Sequence, residues 1–472
     1  MKNLLFLLVF VSFTSFGQQK VYSSKEFEEK VMSIKESKHS YPTLGLIKLE
    51  DTKAPLNLYD VEKVRLIYDF LKFARSKNVR FNEFEYKVNH FVPIQLLFNA
   101  DGGIDFFVYG FQNGTQNKYL SDSLSPDQES KLIEISEEFC KNYQLPYKIN
   151  QKFNLLTNIN LGNPPRKISK KYISTIEVAE NCDKPDTVKS LMLNKLYLEN
   201  FPQVVFKFKN LEKLDLSDNY IEKVPSEIWQ LKKLKFLSLS GNYIDYEHFK
   251  FKRNKHLKDL NLQYTSMTKI PKSLKKNRRL EILFLGNNRI EFADRDFRRM
   301  TNLKALNLYN VQSGNLPKSI GKLQNLEELD LYHNNLQFLP KEVCKLANLK
   351  TLALSNNQLW NLPDEMAQMP KLQILYAHHN RLNSLPNLPN LKLLDLGYNL
   401  FKVFPEQVYE LKDLEEFDIT NNKVEEVPEK LLALKKLQKV YFRGNDFYNF
   451  DKKSKEVSKL VADLEQRQVL VR

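Results

Sequence analysis

Along much of the chain, apolar residues recur at a spacing that is neither helical nor strictly alternating. Segment 326–340, LEELDLYHNNLQFLP, places leucines at 326, 329, 331, 336 and 339. A chain that buries all five must run extended through Leu329 and Leu331 and then turn. The leading apolar residue recurs every 23 residues at Val188, Leu211, Leu234, Leu257, Leu280, Leu303, Leu326, Leu349 and Leu372. It returns at Leu391 after 19 residues, then at Leu414 and Leu437 after 23 each, which makes twelve units. A fixed period of this length specifies a solenoid.

Within each unit the pattern is L-x-x-L-x-L-x-x-N-x-L. It reads LEKLDLSDNYI from Leu211, LKFLSLSGNYI from Leu234, LEILFLGNNRI from Leu280 and LKTLALSNNQL from Leu349. These residues resemble the leucine-rich repeat family over about 265 residues. The 23-residue unit with its apolar–proline pair (Leu339-Pro340, Leu362-Pro363, Val427-Pro428) is similar to the Ras-suppressor-like class. The short ninth unit, LQILYAHHNRLNSLPNLPN, resembles the bacterial-effector class. The fold class implied is α/β, a leucine-rich repeat solenoid with a curved parallel sheet, preceded by a small α+β domain.

The spacing has a physical reason. Alternate strand residues face opposite ways, so Leu329 and Leu331 point inward while Asp330 and Tyr332 point outward. The turn after the strand runs inside the coil. An asparagine there (Asn219, Asn242, Asn288, Asn334, Asn357, Asn380, Asn399, Asn422, Asn445) offers donors and an acceptor to backbone groups that water cannot reach. Leu196, Thr265 and Val311 replace it in units one, four and six, where local bends are expected. Unit nine lacks four convex residues, so its back is expected to run extended. Strands about 4.8 Å apart make a twelve-strand sheet roughly 50–55 Å long. One unit cannot bury its own leucines, and the ends need caps. Val457, Leu460, Val461 and Leu464 predict an amphipathic helix in 455–471. The segment through Cys182 is expected to close the other end.

Residues 18–180 carry no repeat. Val61, Val64, Ile67, Tyr68, Leu71 and Ala74 predict a helix. FVPIQLLF and IDFFVYGF, joined by NADGG, predict a hairpin. A helix follows from Ser125-Pro126 to Leu145-Pro146, with Leu132, Ile135 and Phe139 inward, and KFNLLTNINL reads as a strand. The hairpin–helix–strand order is similar to carboxy-terminal domains of TonB-type energy transducers. The expected organisation is 1–17 signal peptide, 18–180 α+β domain, 181–450 solenoid and 451–472 helical cap, with NPPRK (163–167) as a linker.

Met1-Lys2-Asn3, an apolar run to Val11 and small residues up to Gly17 fit a secretory signal peptide. The expectation is an exported protein that is periplasmic, cell-surface or secreted, and not an integral membrane protein. Its composition resembles that of exported proteins of Bacteroidetes-type bacteria. Cys140, Cys182 and Cys344 are odd in number, which rules out a fully paired framework. They read as free thiols, with a Cys140–Cys182 pair as the alternative. Most of the +15 net charge falls in 181–472, in runs such as QLKKLK and LKKNRRL on the back and edge of the solenoid. That placement gives no basic groove for nucleic acid, though it could suit an anionic surface.

No nucleophile elbow, phosphate-binding glycine loop or H-E-x-x-H is present. No catalytic residue, metal site or cofactor is assigned; His333 and His378 lie two units apart and in different columns of the strand. The outward positions carry the functional signal. Ile282, Phe284, Tyr309, Tyr332, Tyr376 and His378 gather at the middle of the concave face, as binding anchors do. The reading is a non-catalytic binding protein whose partner is a protein. Two alternatives stand: a carbohydrate- or surface-binding adhesin, and an amino-terminal enzyme or envelope-transport module that the repeats target.

Overall fold

The computed structural model describes residues 21–23, 90–98, 101, 103–109, 126–144, 153–162 and 172–472, except 245, 250–253, 390 and 449–454, together with isolated positions in 66–77. The predicted signal peptide lies outside them. The chain divides into two compact units, residues 1–167 and 168–472.

The first unit is a four-stranded sheet. Strands β2 (His90–Phe98) and β3 (Ile104–Tyr109) form the expected antiparallel hairpin, and β4 (Phe153–Gly162) pairs with the other edge of β2. Strand β1 (Val21–Ser23), which the sequence pattern did not reveal, runs parallel to β3. Helix α1 (Pro126–Asn142) buries Leu132, Ile135 and Phe139. Phe139 meets Phe70 edge-on at 5.3 Å, and Phe70 lies 5.7 Å from Phe107. Leu66, Phe70 and Ala74 are helical and buried. The stripe drawn through Val61, Val64, Ile67, Tyr68 and Leu71 falls outside the described residues.

The second unit is built on one parallel sheet. Each of the twelve repeats contributes a three-residue strand, from β5 (Ser190–Met192) to β16 (Lys439–Tyr441), stacked in chain order. The inward residues Leu329 and Leu331 are buried, as are their counterparts along the stack. Proline starts most convex segments. Pro225, Pro317, Pro340, Pro363 and Pro405 each precede a five-residue 3-10 turn, because a fixed φ near −65° preorganises the entry. Between β13 (Ile374–Tyr376) and β14 (Leu393–Asp395), the described residues 381–389 of unit nine form no such turn.

The turn asparagines are buried and bridge units. Asn357 Nδ2 donates to Leu331 O and Leu354 O, both at 2.9 Å, and its Oδ1 accepts from Leu336 N at 3.0 Å. Asn334, Asn380, Asn399 and Asn422 repeat this set. Where threonine stands in, Thr265 Oγ1 has one proton to donate and lies 2.9 Å from Leu262 O and 3.0 Å from Asn288 Oδ1. In unit six Val311 is buried at the ladder position, and its neighbour Asn310 turns inward to donate to Asn287 Oδ1.

Both ends are closed. Helix α2 (Ile176–Glu180), capped by Thr175, buries Ala179, and Ile173 bridges to Leu191. The boundary expected at 180/181 therefore moves to 167/168, since 173–180 serve as the solenoid's first cap. At the other end helix α3 (Lys455–Gln466) buries Val457, Leu460 and Leu464. Arg467 Nη1 and Nη2 donate to Leu432 O and Leu434 O. The chain then returns as a thirteenth strand, β17 (Leu470–Val471), beside β16. Cys140, Cys182 and Cys344 are free thiols.

Replacing Asn357 with alanine strands two carbonyls and one N–H in a buried turn. The solenoid should lose roughly 2–3 kcal/mol. Urea unfolding followed by tryptophan fluorescence measures this directly, because both tryptophans, Trp229 and Trp360, lie in the solenoid. A loss below about 0.5 kcal/mol would remove the ladder from the account of stability.

Candidate interaction face

The outward columns of the sheet define the face. Its lower rim is a charge ladder, one residue per strand. Glu212 meets Lys235 at 2.6 Å, Glu281 meets Lys304 at 2.9 Å and also Lys258, and Glu327 meets Lys350 at 2.6 Å. The lysines hold Glu281 below the usual carboxylate range, Lys258 foremost. These pairs are exposed, so they specify register more than they stabilise. A groove of about 650 Å³ lies on this rim, lined by Lys235, Lys255, Lys258, Arg279 and Lys304 with Glu281 and Glu327. The basic residues thus sit at the edge, interleaved with acids.

Across the middle of the face runs a row of rings. Tyr309 stacks on Tyr332 at 5.4 Å with planes 7° apart. Tyr332 lies 6.0 Å from His378, bridging two strands over Ser355, which is fully buried beneath them. His378 Nδ1 and His379 Nδ1 are 2.8 Å apart, so one of them carries a proton and donates to the other. His379 stacks on Tyr398 at 4.0 Å. His333 packs beside Tyr332 at 5.9 Å.

The structure thus joins Tyr309, Tyr332 and His378 into one row. Ile282, Phe284 and Tyr376 are half-buried on the same face, in the neighbouring columns. Phe284 and Tyr376 make no ring contact among the described residues. The row extends instead through His379 and Tyr398, and then onto the flank where the strands exit. Of the nine exposed large apolar side chains among the described residues, Phe338, Trp360, Tyr398, Leu400 and Val403 lie in units seven to ten. Arg381 covers the Trp360 ring at 5.1 Å.

A backbone rule explains why these residues reach outward. Every unit places a left-handed residue just before the ladder position, at 195, 218, 241, 264, 287, 310, 333, 356, 379, 398, 421 and 444, with φ between 49° and 75°. Gly241 and Gly444 adopt this freely, and Asn or Asp tolerates it at five further units. Lys195, Tyr264, His333, His379 and Tyr398 stand where Gly, Asn or Asp is the local norm. A large ring held in left-handed backbone costs about 1 kcal/mol or more, and strain of this kind gathers at functional sites. That departure was visible in the sequence as a break in the column before the asparagines.

Beside the rings lie carboxyls. Burial pushes Asp395 up to about 7, with added repulsion from Asp418 and Glu416, while the Gly397 N–H opposes the shift. Burial also raises Asp330. His378 is held below the ordinary histidine range by burial and by His379; its Nε2 is 4.0 Å from Asp395 Oδ2. Ser355, His378 and Asp395 occupy three consecutive strands, the residue types of a hydrolytic triad. They do not form one: Ser355 Oγ is buried without a hydrogen-bond partner, and His378 Nδ1 is engaged with His379. No group of three or more metal-ligating side chains occurs among the described residues.

Because the folded pKa of Asp395 lies above its unfolded value near 3.9, the group adds stability at low pH and loses it as pH rises through about 7. From pH 6 to pH 8 the wild-type thermal midpoint should fall relative to Asp395→Asn. Parallel curves would show that the carboxyl titrates normally. His378 works the other way below pH 6.5, so the comparison belongs on the alkaline side.

Residues 186–244 match a leucine-rich repeat model and residues 293–381 a leucine-rich repeat region model. No curated protein sequence matches the chain. Among solved structures, an internalin of Listeria monocytogenes is 19% identical, with 60% of this chain and 91% of that one covered and a TM-score of 0.49. A leucine-rich repeat protein of Leptospira interrogans is 24% identical, with 64% and 100% covered and a TM-score of 0.38. A chain of the Drosophila Toll–Spatzle complex is 22% identical, with 54% and 36% covered and a TM-score of 0.48. With its twelve-fold period, its stacked parallel strands and its asparagine-filled turns, the chain belongs to the leucine-rich repeat family.

Proposed function

We propose that the protein is an exported, non-catalytic binder that grips a protein partner on the ring row and adjoining flank of units six to ten. One observation carries this reading. Rings from Tyr309 to Tyr398 touch in succession, and units seven to ten also expose apolar side chains at Leu400, Trp360, Phe338 and Val403. Exposed apolar surface of this kind, rimmed by charge, is where interfaces form. Aromatic anchors lose little side-chain entropy on binding. A rigid solenoid adds preorganisation, since its strands need not move.

A protein fits better than a sugar. The rings stack on one another, so the faces a sugar would cover are turned toward neighbouring rings. Acidic Asp330, Asp395 and Asp418 in the trough argue equally against nucleic acid and anionic lipid. Export rests on the amino-terminal pattern up to Gly17. Among the described residues, no helix is long and apolar enough to cross a membrane.

Tyr332→Ala and Tyr398→Ala should each weaken a partner recovered from envelope extracts by about 2 kcal/mol, roughly 30-fold in Kd, with unfolding midpoints little changed. Unchanged affinity in both would move the interface off this face. Amino-terminal sequencing of protein recovered from the periplasm or medium should begin at Gln18; an intact Met1 would remove export from the proposal.

A further inference from the structure

The charge arrangement of the face has one exception. Along the rim, acids meet lysines across neighbouring strands, as Glu416 meets Lys439 at 2.9 Å and Asp413 meets Lys436 at 2.5 Å. In the trough the order breaks. Asp395 and Asp418 stand directly opposite each other on β14 and β15 (Glu416–Asp418). Neither is paired with a lysine or arginine. Asp418 Oδ1 accepts from Thr420 N and Oγ1 at 2.7 Å, and Asp395 Oδ1 accepts from Gly397 N at 3.1 Å. Like charges directly opposite on a sheet are destabilising. The rim acids are met by lysines, whereas this opposed pair in the trough faces no cation.

Gly397 places no side chain of its own against the pair. Gly397 lies between the two carboxyls. A Cβ there would sit 3.2 Å from Asp418 Oδ1, 3.5 Å from Asp395 Oδ1 and 2.9 Å from Thr420 Oγ1. Any larger residue would fill the space over the carboxyls. The glycine's backbone is not left-handed, so the turn does not require it. The cradle therefore explains the residue where backbone geometry does not. Beside the cradle, Tyr398 is 49% exposed and Leu400 39% exposed.

We propose that units nine to eleven bind a protein segment that lays apolar side chains on the Tyr398–Leu400 flank and inserts one lysine or arginine side chain over Gly397, between Asp395 and Asp418. This rests on the reading of the face as a protein-binding surface and names the chemistry it selects. The aromatic flank takes the stem of the basic residue and its apolar neighbours, and the carboxyls take its charge. Specificity comes from the same pair: a segment without a cation leaves two opposed carboxyls desolvated and unpaired. The groups facing Asp395 are Tyr376 on β13, His378 just beyond it, and Glu416 and Asp418 on β15. As pH rises, His378 becomes neutral and Asp395 ionises, so both changes favour an incoming cation.

The test uses the full chain and a random-peptide display library selected on it at pH 8. Enriched peptides should carry lysine or arginine among apolar residues. Their affinity should fall at least tenfold for D395N/D418N and for Gly397→Ala, which keeps both carboxyls but occupies the cradle. Affinity should tighten from pH 6 to pH 8 more steeply for wild type than for D395N/D418N, which keeps His378 but loses the titrating carboxyl. D395N/D418N should unfold at no lower urea concentration than wild type, which separates lost binding from lost fold. Peptides that depend on Tyr332 and Tyr398 but carry no basic residue, or that bind all variants equally, overturn the cation site and leave the protein-binding reading standing. Peptides insensitive to Tyr332→Ala and Tyr398→Ala, or a library that yields no binder, overturn both.

Discussion

A turn buried inside an apolar coil must find partners for its own backbone, and the rest of this protein depends on how it does so. Each strand ends by bending into the core, where N–H and C=O groups have no water. The asparagine after the left-handed residue supplies two donors and an acceptor, and two of its bonds reach back to the preceding unit. Adjacent coils are therefore tied by a polar ladder inside an apolar stack. That tie fixes the register of the sheet, and the register fixes which side chains share a column on the outward face. Thr265 shows how the demand can be met without asparagine: its hydroxyl reaches Leu262 O in the same turn.

With register fixed, the face becomes a one-residue-per-strand array with two distinct textures. The rim is self-satisfied, acids facing lysines. The trough in units six to eleven departs from local rules three times. It holds rings in left-handed backbone at His333, His379 and Tyr398, buries Ser355 Oγ without a partner, and opposes two carboxyls at Asp395 and Asp418. Each departure costs stability, and all lie within the same few strands. Lys195 and Tyr264 also hold left-handed backbone outside these units, so it is the coincidence of the three departures that sets this trough apart.

Much of this was legible without coordinates. The 23-residue period, the inward leucines, the buried asparagines, the missing convex turn of unit nine and the carboxy-terminal cap helix all follow from one rule. A repeated unit buries the same positions each time, so periodicity and side-chain alternation suffice. The hairpin and helix of the first unit were legible for the same local reason. Strand β17 was not, because two residues carry no pattern, and their place beside β16 depends on where helix α3 delivers the chain.

For the face, the sequence by itself determined the columns, and so placed Tyr309, Tyr332 and His378 outward near one another. It did not determine which outward residues touch. Phe284 and Tyr376 are in the right columns and join no ring, whereas His379 and Tyr398 enter the row through a left-handed backbone that swings them toward it. Only the tertiary structure decided this, since the 19-residue ninth unit brings position 398 beside 379 and sets Gly397 between two carboxyls. Contact distance and burial arise between coils, and a pattern read along one coil does not contain them.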